Sequence, residues 1–119
     1  MVTILLAEKD SEIRNLLKKL LKREGYNVLE VRDIKDALEQ YKKLKDKPDL
    51  IILSSHLQKR NGIGAVKELL LKIPQCNILY MTGDPRIEKQ QLLHENLKVK
   101  TKPVKTSDLL TTIQEIVQA

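Results

Sequence analysis

Residues able to do chemistry gather at four points, each just after a short apolar run: Glu8, Lys9 and Asp10; Ser54 and His56; Thr82 and Asp84; and Lys102. Two ammonium groups, Lys9 and Lys102, with two hydroxyls, Ser54 and Thr82, would suit an anion of the phosphate or sulfate type. His56 has no second histidine or cysteine at ligand spacing, so it reads as a surface residue rather than a metal or phosphohistidine site. Cys76 is single and sits in an apolar stretch, which excludes a disulfide framework and a thiolate metal cluster.

These groups need elements to hold them. Residues 3–7 (TILLA), 50–53 (LIIL) and 77–81 (NILYM) are short apolar runs of the kind buried on both sheet faces. Residues 27–31 (NVLEV) and 97–101 (LKVKT) mix apolar with polar positions. In the latter, Lys98 and Lys100 alternate with Leu97 and Val99, which suits an edge strand guarded against pairing with other chains. Between the runs lie helical periodicities. Ile13, Leu16, Leu17, Leu20 and Leu21 form one stripe, with Ser11 expected as N-cap and Gly25 as the stop. Ile34, Ala37, Leu38, Tyr41 and Leu44 form a second, and Ile63, Val66, Leu69, Leu70 and Ile73 a third that ends at Pro74. Leu109, Leu110, Ile113, Ile116 and Val117 form the last, with Thr106 or Ser107 expected as its cap. From Pro85 to Asn96 the pattern is weak, and a short helix is expected.

Strand and helix thus alternate five times across one domain spanning 1–119. Short connections between them imply a parallel sheet covered by helices on both faces, with right-handed crossovers. Such sheets carry their functional loops at the carboxyl ends of the strands. The four chemical points fall there.

Composition narrows the rest. The chain has 119 residues, no Trp, no Phe and three Tyr, so its core is aliphatic. No apolar run approaches the roughly 18 residues needed to cross a bilayer, and acidic residues arrive too early for a secretory signal. A cytoplasmic, non-membrane protein is expected. The net charge of +6 comes mostly from lysines spread along the chain. Without arginine clusters or aromatic platforms, that reads as a solvated surface rather than a nucleic-acid footprint.

The four points also carry a resemblance. LLAEKD before the first helix, PDLIILS followed by QKRNG, LYMTG, and TKPV stand in the order and near the separations of the receiver domain of two-component response regulators, of the chemotaxis-regulator type. The resemblance runs the full length. It implies a three-layer, doubly wound (βα)5 flavodoxin-like α/β fold, with a parallel five-stranded sheet of order 2-1-3-4-5. It also implies a magnesium site of two acidic residues after the first strand plus an aspartate ending the third. That aspartate accepts a phosphoryl group, which the lysine pairs and the hydroxyl reports.

Carried over position by position, Glu8 fits the first acidic place, Lys9 takes the second, and Ser54 takes the phosphoacceptor place. Asp10 is a further acid less central to the metal. Thr82 and Lys102 match, while Val99 replaces the usual aromatic. A working pocket holds roughly −2 of charge to attract a hard cation. Here Glu8, Lys9 and Lys102 would leave about +1, if Lys9 lies where the metal would be and pairs with Glu8. Lys102 is likewise expected to pair with Glu8. Magnesium binding and phosphotransfer are therefore expected to be lost, with no cofactor and no enzymatic role.

The expected function is a pseudo-receiver, a regulatory module that binds partners independently of phosphorylation. Its output face would be the fourth helix, fifth strand and last helix, offering Lys89, His94, Lys98, Val99, Lys100 and Thr112 to a protein partner or a second copy. Alternatives are an active receiver using a displaced carboxylate, Asp10 or Asp84, and a module binding a phosphate-type anion at Lys9, Ser54, Thr82 and Lys102. A flavodoxin-like cofactor binder would need a glycine-rich phosphate loop, which is missing.

Overall fold

The computed structural model describes residues 1–54, 62–88 and 94–118, with the side chains of 62, 63 and 65 excepted. Strands and helices alternate as β1 (Thr3–Ala7), α1 (Ser11–Arg23), β2 (Asn27–Val31), α2 (Ile34–Lys43), β3 (Leu50–Ser54), α3 (Gly62–Lys72), β4 (Ile78–Thr82), α4 (Pro85–Glu88), β5 (Leu97–Thr101) and α5 (Thr106–Gln118). All strand pairs are parallel and the sheet order is β2-β1-β3-β4-β5. This is the doubly wound arrangement expected from the sequence.

The apolar runs earn their reading through the two-residue period of a strand. Leu5, Ala7, Ile51, Leu53, Ile78 and Tyr80 point to one face, where they pack with Ala37 and Tyr41 of α2, Val66 and Leu69 of α3, and Ile73 just after it. Ile4, Leu6, Leu50, Ile52, Leu79 and Met81 point to the other, against Leu21 of α1 and Leu109 and Ile113 of α5. A central strand must be apolar at every position because it serves both cores. β2 and β5 close the sheet as edges, and β5 keeps Leu97 and Val99 inward while Lys98 faces water.

Helix ends differ from expectation by one residue. Asp10, rather than Ser11, caps α1: its Oδ1 accepts from the amides of Glu12 at 2.9 Å and Ile13 at 3.0 Å. A carboxylate is also the better match to the positive end of the helix dipole. Asp33 caps α2 in the same way, accepting from the Asp36 amide at 2.8 Å. α1 stops as expected at Gly25, with φ of 90°. The Tyr26 amide reaches back to the Leu21 carbonyl and the Gly25 amide to that of Lys22, a left-handed closure that suits glycine. Thr106 and Ser107 do not cap α5; both lie in its first turn, and Lys105 supplies the carbonyl for Leu109.

Candidate functional site at the carboxyl ends of the strands

The sheet register decides which polar residues meet. Ala7 lies beside Leu53 in the β1–β3 pair, so Glu8 and Ser54 follow on neighbouring central strands. Ser54 pairs with Met81 and Thr82 with Thr101, which brings Thr82 and Lys102 to the same edge. The Lys102 amide donates to the Thr82 carbonyl at 2.7 Å and so prolongs the β4–β5 ladder. The Lys102–Pro103 peptide bond is cis.

Glu8 and Ser54 are fully buried, and Thr82 nearly so. Glu8 Oε2 accepts from the Asp10 amide at 3.0 Å, whereas Oε1 is buried with no hydrogen-bond partner. The Lys102 ammonium donates to Ser54 Oγ at 2.6 Å. Burial pushes the Lys102 pKa below the ordinary lysine value, and the Glu8 carboxylate partly offsets that by favouring the ammonium. Thr82 Oγ1 accepts from the Asp84 amide at 3.1 Å, the strand-end bond expected of a hydroxyl there.

Two expectations fail at this point. Lys9 is exposed, and among the described residues it forms no ion pair with Glu8. Lys9 lies past the end of β1, in the bend between that strand and α1, and is exposed there. Lys102 does not pair directly with Glu8 either; its hydrogen bond goes to Ser54. Among the described residues the pocket therefore holds one carboxylate and one ammonium, which balance. Ser54 has an amine beside it.

The two displaced carboxylates are both engaged. Asp10 caps α1, and Asp84 is bound by Arg86 through Nε at 3.0 Å and Nη2 at 2.8 Å. The Arg86 guanidinium holds the Asp84 carboxyl below its usual range. Asp84 is thus fixed as the partner of a surface arginine.

Sequence reasoning passed over three supporting residues. Arg14 Nη1 donates to the Glu8 carbonyl at 2.7 Å and its Nε lies 3.5 Å from Glu30 Oε1, strapping the loop after β1 to β2. Lys18 joins the same carboxylate at 2.9 Å. Glu88 Oε1 accepts from the Thr101 amide at 3.0 Å and hydroxyl at 3.3 Å, tying α4 to the end of β5 one residue before Lys102. Spacing gave one clue: Arg14 lies one helical turn after the Asp10 cap and so can reach back over the loop.

The expected output face is only partly available. Lys98 is exposed, Lys100 half-buried, and His94 accepts from the Asn96 amide through Nδ1 at 3.0 Å. Val99 and Thr112, offered as surface, are buried at 1% and 8% exposure. Val99 belongs to the inward register of β5, and Thr112 lies beside Ile113 on the inner side of α5. Lys89 and His56 lie outside the described residues.

The family model for the response regulator receiver domain matches residues 4–114. The chain belongs to the response regulator receiver family. Receivers are signalling modules of two-component systems, act with partner proteins, and normally hold Mg2+ at an acidic site. The response regulator receiver protein CpdR of Brucella abortus is 26% identical over 122 residues, covering 100% of this chain and 99% of that protein. The transcriptional regulatory protein CpxR of Klebsiella pneumoniae is 46% identical over 66 residues, 56% of this chain and 27% of that regulator. The chain thus spans about a quarter of the CpxR regulators it matches. Among solved structures, a receiver domain protein from Clostridium thermocellum superposes with a TM-score of 0.82 at 22% identity, over 99% of this chain and 95% of that one. This last likeness bears on the fold.

Proposed function

We propose that this receiver is a pseudo-receiver: a two-component regulatory module that neither binds magnesium productively nor accepts a phosphoryl group, and that engages protein partners without a phosphorylation switch. The observation that carries the reading is Ser54 at the end of β3, fully buried with its hydroxyl taken by Lys102. A serine hydroxyl cannot form the acyl phosphate that an aspartate forms.

The donor set supports the loss of the metal. Magnesium asks for about six oxygens in octahedral array, carboxylates among them. Glu8 supplies one buried carboxylate, Asp10 is committed to its helix, and no cluster of three or more His, Cys, Asp or Glu forms a metal-ligating group among the described residues. The Lys102 ammonium stands as the cation of the pocket. These residues do not fit the ion.

The buried Glu8 carboxylate and the outward Lys9 also weigh against a phosphate-type anion. The engagement of Asp10 and Asp84 weighs against a displaced phosphoacceptor. On this reading the module works in the cytoplasm, and Lys98, Lys100 and His94 remain the residues through which α4, β5 and α5 meet a protein partner.

The test is direct. With millimolar magnesium and acetyl phosphate or beryllofluoride, backbone amide resonances of the pocket should stay in place and no phosphoprotein should form. A magnesium-dependent shift at Glu8, Thr82 and Lys102, or an acid-stable or hydroxylamine-sensitive phosphoryl adduct, would overturn the proposal.

A further inference from the structure

Beside the pocket, α1 and α5 leave a groove of about 450 Å³ whose walls include Ile13, Leu17, Met81, Val104 and Leu109, and whose inner end includes Ser54 and Lys102. An apolar cleft of this size with a few convergent polar groups is the usual form of a small-molecule site. Here the polar groups are a hydroxyl and an amine 2.6 Å apart. A third group stands behind them, the buried and unpartnered Oε1 of Glu8.

We propose that Ser54 is a nucleophile activated by Lys102 and accepts the acyl group of an activated ester or thioester whose hydrocarbon chain lies in the α1–α5 groove. Serine is inert at its free pKa and becomes reactive when a base sits within hydrogen-bond reach and a further group steadies that base. Lys102 meets the distance. Desolvation raises the share of neutral amine, the form of Lys102 able to take the Ser54 proton, and the Glu8 carboxylate favours the ammonium that forms during the reaction. Glu8 is therefore a positioning residue, with a free oxygen for the ammonium to approach. Ser54 has no water-exposed surface. An acyl donor must therefore reach Oγ from the groove, whose lining includes both Ser54 and Lys102.

The step balances without a metal or redox partner. Ser54 Oγ bonds to the acyl carbon while its proton passes to Lys102 Nζ. The bond from that carbon to the leaving alcohol or thiol then breaks, and the leaving group takes the proton from Lys102. The products are an ester on Ser54, a free alcohol or thiol, and neutral Lys102. The site is an acyl acceptor, and the proposal stands apart from whether the pocket has lost phosphotransfer.

The full chain incubated with p-nitrophenyl butyrate should release p-nitrophenolate and gain one butyryl group, mapped to Ser54 by peptide mass spectrometry. Cys76 is a poor competitor, because burial pushes its thiol pKa up to about 12. Ser54→Ala should abolish the adduct at that peptide. Lys102→Arg, whose guanidinium stays protonated and cannot act as a base, should slow it on the order of 100-fold, with folding checked by thermal melting. Glu8→Gln should move the midpoint of the pH–rate profile to lower pH, a readout that a packing role would leave in place. Butyryl found only on surface lysines, an unlabelled Ser54 in the folded wild-type chain, or an undiminished rate in Lys102→Arg would each overturn the assignment.

Discussion

The carboxyl edge of the sheet divides into two halves with different histories. At β4 and β5, Thr82 and Lys102 match the receiver pattern; at β1 and β3, Lys9 and Ser54 depart from it. The matching half also has structural work: Thr82 Oγ1 holds the turn at Asp84, and the Lys102 amide extends the ladder to Thr82. The departing half has work of its own, but of a kind that many residues can do. Glu8 steadies the Asp10 amide through a carboxylate oxygen, while Lys9 only needs to face water. Thr82 has a side-chain task at the backbone of Asp84 that holds its hydroxyl in place, whereas the Lys102 amide would be present in any residue but proline.

Ser54→Asp should break this contrast most. It places a second carboxylate beside the buried Glu8, with one ammonium to share. Without metal the variant should lose about 2 kcal/mol of stability in urea unfolding, through like-charge repulsion and desolvation. Millimolar magnesium should restore part of the loss, because an ion bound to the native state stabilises it by mass action. A variant as stable as the wild type without metal, and indifferent to magnesium, would mean that Glu8 and position 54 do not share a cation site.

A smaller effect separates the halves through Lys102. Its native pKa lies below the unfolded value, so between the two the unfolded chain binds more protons than the folded one. Stability attributable to this group should therefore rise with pH across that window and level off above the ordinary lysine value. Glu8→Gln removes the charge that favours the ammonium, so the native pKa should fall further and the window should extend downward. Titration of the lysine amine resonances in the two proteins measures both. An unchanged Lys102 midpoint in Glu8→Gln would disconnect the two residues.

Lys9→Glu should do least. An exposed lysine without an ion pair should change stability by less than about 0.5 kcal/mol, seen as an unfolding midpoint close to that of the wild type. A large loss would return Lys9 to the pocket.

Much of the fold was legible because it rests on periodicity. Leu5, Ile51 and Ile78 are apolar in runs that only a strand with two covered faces requires, and the stripe from Ile13 to Leu21 has helical spacing. Helix starts were less legible, since Asp10 and Ser11 are both good caps and the choice depends on where the chain leaves β1. The candidate site was legible as a set of positions, not as a set of contacts. Charge counting treated Glu8, Lys9 and Lys102 as neighbours, although the bend after β1 leaves Lys9 exposed. Val99 and Thr112 failed for a related reason: each was assigned by element, while burial follows the face of that element.

By itself, then, the sequence determined the order of the elements and their two covered faces, since these depend on residue type and local spacing. Only the tertiary structure decided that Lys102 reaches Ser54 rather than Glu8, that Asp10 serves the helix, and that Glu88 holds β5. The first and last depend on how strands distant in sequence are brought together, where a shift of one residue reverses which side chains meet, and the Asp10 cap depends on where the chain leaves β1.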